Sequence, residues 1–231
     1  MAAQLQRQVL AILAADVVGY SRQMEADEAG TIARLRAVRA ETVDPLIAWH
    51  RGRLVKLTGD GALVAFESVV NAVRCAVEIQ RSLAARNGGL PGADRLVLRI
   101  GVNLGDVALV DDDLYGDGVN VAARLEQLCD PGGVMVSGTA YDQLHGKLDL
   151  ALDFAGEQRV KNIARPVRAY RVRLDGSPVA PAGCQAPRPL RCRRDGPAPG
   201  RRGRRLVALA EGARRHGPAV DRRAAGRQSR Q

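Results

Sequence analysis

Residues 54–66 read Leu-Val-Lys-Leu-Thr-Gly-Asp-Gly-Ala-Leu-Val-Ala-Phe and constrain the fold more than any other stretch. Apolar, often β-branched residues run up to Thr58-Gly59-Asp60-Gly61 and resume at Ala62, which predicts two strands joined by a tight turn. Such a hairpin is not stable alone and needs more strands or a covering helix. By itself, Asp60 at the tip is an ordinary solvated turn residue, because Asp bonds its own backbone in turns. A second acid changes that reading. Asp16 directly follows the apolar run Val9 to Ala15, a buried strand by pattern. Two carboxylates at the ends of adjacent strands make a hard-oxygen site for a divalent cation.

The remaining chain alternates strands and helices. A long helical region is predicted from about Ser21 to Trp49, broken near Pro45, with Ile32, Leu35 and Val38 at helical spacing. Residues 68–86 form an amphipathic helix with Val69, Val73, Ala76, Val77 and Leu83 in one stripe, ended by Asn87-Gly88-Gly89 and Pro91. Leu96 to Val102 reads as a strand and Asp106 to Val110 as its return, followed by a polar loop over 111–118 and a helix over 119–128. Val134 to Val136, a short helix at 139–144 and strands near 151–154 and 166–173 complete the pattern. Helices packed on a largely antiparallel sheet make this an α+β sandwich. Trp49 is assigned to the core, and Asp106 and Asp117 to turns or a helix start.

The net charge of +10 comes from 35 Lys and Arg against 25 Asp and Glu. From residue 174 onward there are fourteen Arg, no Lys and four acids, so the whole excess sits in the last quarter and residues 1–173 are formally neutral. That segment has no Phe, Tyr or Trp and seven of the eleven prolines. It cannot bury enough apolar surface to offset its ordering entropy, so a domain over 1–175 and a disordered tail over 176–231 are expected. Three readings of the tail stay open: a basic arm for nucleic acid or anionic membrane, an inert linker, and the out-of-register translation of a GC-rich gene. Cys75, Cys129, Cys184 and Cys192 are spaced neither as a metal knuckle nor as a disulfide framework. Residues 1–7 lack signal-peptide architecture, and the longest apolar run is too short to cross a bilayer, so a cytoplasmic protein is expected. His50, His145 and His216 form no cluster, and no nucleophile with a His base is evident, which argues against acyl-transfer hydrolysis.

Asp113-Leu114-Tyr115-Gly116-Asp117-Gly118-Val119-Asn120-Val121-Ala122-Ala123-Arg124, taken with Asp16-Val17-Val18-Gly19-Tyr20-Ser21 and Lys56-Leu57-Thr58-Gly59-Asp60, resembles the catalytic domain of the class III adenylate and guanylate cyclases, the bacterial branch most closely. The resemblance spans about residues 8–173 and includes Val160 to Tyr170. It implies a ferredoxin-like α+β fold and six functional positions. Asp16 and Asp60 are similar to the pair that holds two Mg²⁺ or Mn²⁺ ions. Lys56 and Asp113 resemble the base-recognition pair, Asp113 being chosen over Asp111 and Asp112 because it stands seven residues before Asn120. Asn120 and Arg124 resemble the residues that orient the ribose and stabilise the transition state, and Lys161 resembles a triphosphate-facing lysine. The resemblance further implies a homodimer in which the metal pair of one subunit works with the base and Asn/Arg residues of the other.

The chemistry fits those residue types. A ribose 3′-hydroxyl attacking the α-phosphorus in line, with pyrophosphate leaving, is served by two ions held on carboxylates. Gly19 lets the backbone after Asp16 approach phosphates, and the next helix start favours negative charge. Asn120 and Arg124 are four apart, so on a helix they share a face, and Arg124 can donate a fork of hydrogen bonds to phosphate. Adenine offers an acceptor at N1 and a donor 6-amine, which match Lys56 and Asp113; guanine presents the reverse pattern, so ATP is preferred over GTP. The expected activity is an adenylate cyclase making 3′,5′-cyclic AMP, with a guanylate cyclase or a silent nucleotide-binding regulatory domain as alternatives.

Overall fold

The computed structural model describes residues 6–110, 113–159 and 166–174. The tail over 176–231 and Lys161 lie outside the described residues.

One mixed sheet organises the domain. Strand β1 (Gln6–Val17) lies at its centre, antiparallel to β4 (Leu98–Val110) on one side and to β3 (Gly61–Phe66) on the other, with β2 (Arg53–Thr58) outermost. Beyond β4 come β6 (Val134–Ser137), β8 (Val167–Val172) and β7 (Leu152–Gln158), while β5 (Asp113–Tyr115) hairpins onto the far end of β4. The β4–β6 pairing is parallel and the others are antiparallel.

Alternation along these strands sorts the apolar residues onto two faces. Ala11, Leu13, Val64, Phe66, Ile100 and Val102 face helix α4 (Val69–Asn87), together with Ile47 of α3 (Asp44–Trp49) and Ala140 and Leu144 of α6 (Gly138–Leu144). Ile12, Ala14, Ala65 and Val107 face the other way, where α5 (Asp117–Leu128) covers them with Ala122 and Val119. α5 lies directly on β4 because Gly101 has no side chain: a Cβ there would run into the Ala122 carbonyl and the Glu126 amide. Asn103, two residues along, donates to the Gly118 carbonyl at 2.9 Å and pins the first turn of α5.

The predicted hairpin, α4, β6, α6 and the terminal strands are all present. The helical region predicted over 21–49 divides differently. α1 (Tyr20–Ala26) stops at Asp27, whose carboxylate accepts from the Gly30 amide at 2.9 Å and caps α2 (Glu28–Val38). A single π turn, Arg39–Val43, then leads into α3. Pro45 cannot donate to the carbonyl four residues back, and the wide turn falls where that bond is missing. Two further expectations are corrected. There is no return turn at 103–105, because β4 runs unbroken and pairs with β1 over twelve residues, Gln6 with Leu109 through Val17 with Leu98. Asp106 therefore sits inside a strand, paired with Arg7 at 2.7 Å. Part of the predicted polar loop is β5. Trp49 is 79% exposed at the end of α3 rather than in the core.

Candidate active site

Asp16 and Asp60 are brought together by strand register. Ala15 of β1 pairs with Ala62 of β3, so the residue after Ala15 meets the turn before Ala62. That turn is a two-residue loop, Gly59-Asp60, between the paired Thr58 and Gly61. Gly59 takes φ +67 at its first position, a conformation that glycine adopts without strain. The Asp60 carboxyl is held above its ordinary range, first by burial and then by a hydrogen bond and like charge from Asp16, against the pull of its own backbone amide and of Arg99.

Arg99 lies directly across β1–β4 from Asp16, and its Nη2 donates to Asp16 Oδ2 at 2.7 Å. Its Nε is 3.3 Å from Glu126 Oε1 on α5. Burial, and then the negative charge of Asp16, push the Glu126 carboxyl up to about 7, with Arg99 opposing. The sequence reading missed both residues. The available signal was an arginine inside an otherwise apolar strand: Arg99 shares a face with Gly101 and Asn103, toward α5, where a half-buried guanidinium calls for carboxylates.

A cavity opens beside the acid pair, lined by Asp16, Gly19, Ser21, Arg22, Asp60 and Arg99 among others. Gly19 adopts φ +70 as the chain leaves β1, so the turn itself explains this glycine, and α1 is a short helix of seven residues. The acid pair fits hard divalent ions. Asp16 lies close enough to disfavour charge on Asp60, and cations of the Mg²⁺ kind are commonly held by one or two carboxylates with substrate phosphates and water completing the shell. Among the described residues no group of three or more His, Cys, Asp or Glu is gathered for a metal. The pair would therefore depend on the nucleotide for the remaining ligands.

Lys56 and Asp113 form a second group. The β2–β3 register slips by one residue between Leu54 and Lys56: Leu54 pairs with Val64, but Lys56 pairs with Leu63. This bulge at Val55 turns Lys56 onto the Leu63 side of the sheet, toward α5 and β5, whereas unbroken alternation would leave it on the α4 side with Leu54. Lys56 Nζ donates to Asp113 Oδ2 at 2.8 Å, and Asp113 Oδ1 accepts from the Leu114 amide at 2.9 Å. Each charge shifts its partner: Lys56 is raised and Asp113 lowered, in both cases chiefly by their shared hydrogen bond.

Asn120 and Arg124 form the third. They stand one turn apart on the exposed side of α5, whose other side buries Val121, Ala122 and Leu125. Arg124 Nη1 donates to Gln127 Oε1 at 3.3 Å. Neither residue lines the cavity beside Asp16 and Asp60, nor do Lys56 and Asp113. One chain thus holds all six predicted residues as three separate pairs. Among other candidates, His50 is buried against Glu78 at 3.0 Å, and burial pushes the Cys75 and Cys129 thiols up to about 12 and about 11, so both are inert core residues. No helix among the described residues is long and apolar enough to cross a membrane.

Comparison with known proteins bears on the family and the fold. The profile of the adenylate and guanylate cyclase catalytic domain matches residues 2–173. A putative adenylate cyclase of Rhizobium meliloti is 52% identical over 166 residues, which are 72% of this chain and 28% of that protein. An adenylate cyclase of Streptomyces coelicolor is 31% identical over 58% of this chain and 34% of its own length. The chain thus spans about a third or less of these two relatives. Among solved structures, an adenylate/guanylate cyclase/hydrolase from Silicibacter pomeroyi superposes with a TM-score of 0.70 at 43% identity, covering 73% of this chain and 98% of that one. The adenylyl cyclase CyaB of P. aeruginosa, at 24% identity, shares the fold with a TM-score of 0.65, covering 74% of this chain and 96% of its own. On sequence profile, identity and fold together, the chain belongs to the adenylate and guanylate cyclase catalytic domain family.

Proposed function

We propose that the domain is an adenylate cyclase, converting ATP to 3′,5′-cyclic AMP and pyrophosphate in composite sites of a homodimer. The observation that carries the base preference is the Lys56–Asp113 pair, a cationic donor 2.8 Å from a carboxylate acceptor and held by strand pairing before any base arrives. Lys56 donates to adenine N1 and Asp113 accepts from the 6-amine. Guanine would set its N1–H against the ammonium and its O6 against the carboxylate.

Asp16 and Asp60 would hold two Mg²⁺ or Mn²⁺ ions, which supply charge neutralisation at the triphosphate and a more acidic 3′-hydroxyl. The other roles belong to side chains of the chain itself. Asn120 orients the ribose so that its 3′-oxygen faces the α-phosphorus, and the new O–P bond forms as the bond to pyrophosphate breaks. Arg124 donates to the α-phosphate oxygens as negative charge builds on them.

The separation of the three pairs within one chain supports an arrangement in which one protomer gives Asp16 and Asp60 and its partner gives the other four. Leu57 and Tyr115, 44% and 54% exposed beside Lys56 and Asp113 in sequence, offer apolar surface for that partner. Mixing inactive Asp60→Asn and Arg124→Ala proteins tests it. Half of a randomised population is heterodimeric, with one of two sites intact, so about a quarter of wild-type activity returns. No recovery in a mixture that exchanges subunits contradicts composite sites, and cyclic GMP as the main product of the wild type contradicts the base assignment.

A further inference from the structure

Arg99 holds one carboxylate well and a second one poorly. Its Nη2 makes a short, aligned bond to Asp16, whereas its Nε lies within ion-pair reach of Glu126 Oε1 but out of line for a hydrogen bond. Those last two atoms, Arg99 Nε and Glu126 Oε1, are buried and without a hydrogen-bond partner among the described residues. A guanidinium N–H and a carboxyl oxygen, both buried and facing each other with the bond unmade, favour any rearrangement that lets them close. Glu126 is fixed, because its backbone lies against Gly101 of β4 and its side chain is only 9% exposed. Arg99 is the member that can move, and what holds it back is Asp16.

The geometry points to Arg99 as an exchangeable partner of Asp16, and to Glu126 as the positioning residue that receives it. Before a divalent cation binds, Arg99 occupies Asp16, whose carboxyl lies beside that of Asp60. A cation on Asp16 displaces the guanidinium, since the carboxylate oxygens are taken and the two positive charges repel. Arg99 then completes its bond to Glu126 and stays in the wall of the cavity it lines. Without Glu126, Arg99 would have Asp16 as its remaining carboxylate and would compete harder with the cation. This inference rests on the reading of Asp16 and Asp60 as the cation-holding pair.

The test uses the full chain, Mn²⁺ alone as the probe and no nucleotide, with free Mn²⁺ followed by electron paramagnetic resonance. Binding that is lost in both Asp16→Asn and Asp60→Asn establishes the underlying pair; binding indifferent to both overturns that reading and the exchange with it. Given the pair, Arg99→Gln tightens Mn²⁺ binding and Glu126→Gln weakens it, each by about fivefold, the scale of a partly exposed ion pair. The deciding arm is the double variant. Because Glu126 acts through Arg99, Arg99→Gln/Glu126→Gln binds Mn²⁺ as Arg99→Gln does. An equal weakening by Glu126→Gln with and without Arg99 overturns the exchange and leaves only long-range charge. Should Glu126→Gln fail to melt cooperatively, Glu126→Asp, which keeps the charge on a shorter arm, replaces it in the same cycle with the same expected loss of effect when Arg99 is absent.

Discussion

Lys56 on β2 and Asp113 on β5 meet at 2.8 Å although 57 positions separate them, because a bulge at Val55 rotates the lysine onto the face where β5 lies. If this pair reads the base, removing either member leaves one base atom, adenine N1 or the 6-amine, without its partner. Lys56→Ala and Asp113→Ala should each lower kcat/KM for ATP by roughly 10- to 100-fold, the cost of a buried unmatched polar group, and narrow the ATP-over-GTP preference. Parallel rates on the two nucleotides check this, and an unchanged preference contradicts it.

Arg124 is exposed and its hydrogen bond to Gln127, at 3.3 Å, is a weak one among the described residues, so its loss should leave stability almost untouched. Arg124→Ala should nevertheless lower kcat by ~10²–10³-fold, as loss of a donor to developing charge does. Arg124→Lys should not restore the rate, since an ammonium cannot reproduce the planar fork. Melting temperature and single-turnover rate, measured on one preparation, separate these effects.

Gly101 is where α5 touches the sheet, and a methyl group there meets backbone rather than a yielding side chain. Gly101→Ala should destabilise the domain by about 1–3 kcal/mol through overpacking, and by displacing α5 it should lower activity as well. Urea unfolding checks the first effect; a stability equal to wild type contradicts the close packing.

Glu126 gives stability a pH dependence of defined sign. Its carboxyl stands at about 7 in the fold against an ordinary 4.5, so the native state holds a proton that the unfolded chain releases. Its contribution is fully present below the lower value, falls as pH rises between the two, and is a constant penalty above about 7. Glu126→Gln should therefore gain stability relative to wild type as pH rises through that window and hold the gain above it. Urea midpoints at pH about 5 and about 8 report the difference, and a gain larger at the acidic end contradicts the assignment.

The parts of the fold encoded by short-range pattern were legible in sequence: the Gly59-Asp60 turn, the α4 stripe and the short strands around β6. Long-range pairing hid the others. Asn103-Leu104-Gly105-Asp106 carries turn-forming residues, yet twelve consecutive pairs with β1 keep β4 straight. The six candidate residues could be singled out because their motifs are local, but which of them meet depends on register: Ala15 opposite Ala62 places Asp16 by Asp60, and Asp16 opposite Arg99 adds a partner that no local motif names. The Val55 bulge was equally invisible, since one extra residue in a strand leaves no compositional trace. Trp49 was misplaced because size and hydropathy assign it inward, while its position at the end of α3 leaves it in solvent.

The most direct measurement is cyclic AMP formation from ATP with Mn²⁺, comparing the full chain with Asp60→Asn. The account predicts metal-dependent cyclic AMP from the wild type and a loss of at least about 100-fold in the variant, while its melting temperature is retained or raised because the strain against Asp16 is relieved. Cyclic AMP formation that survives Asp60→Asn, or a dimeric wild type that makes no cyclic nucleotide, would contradict it.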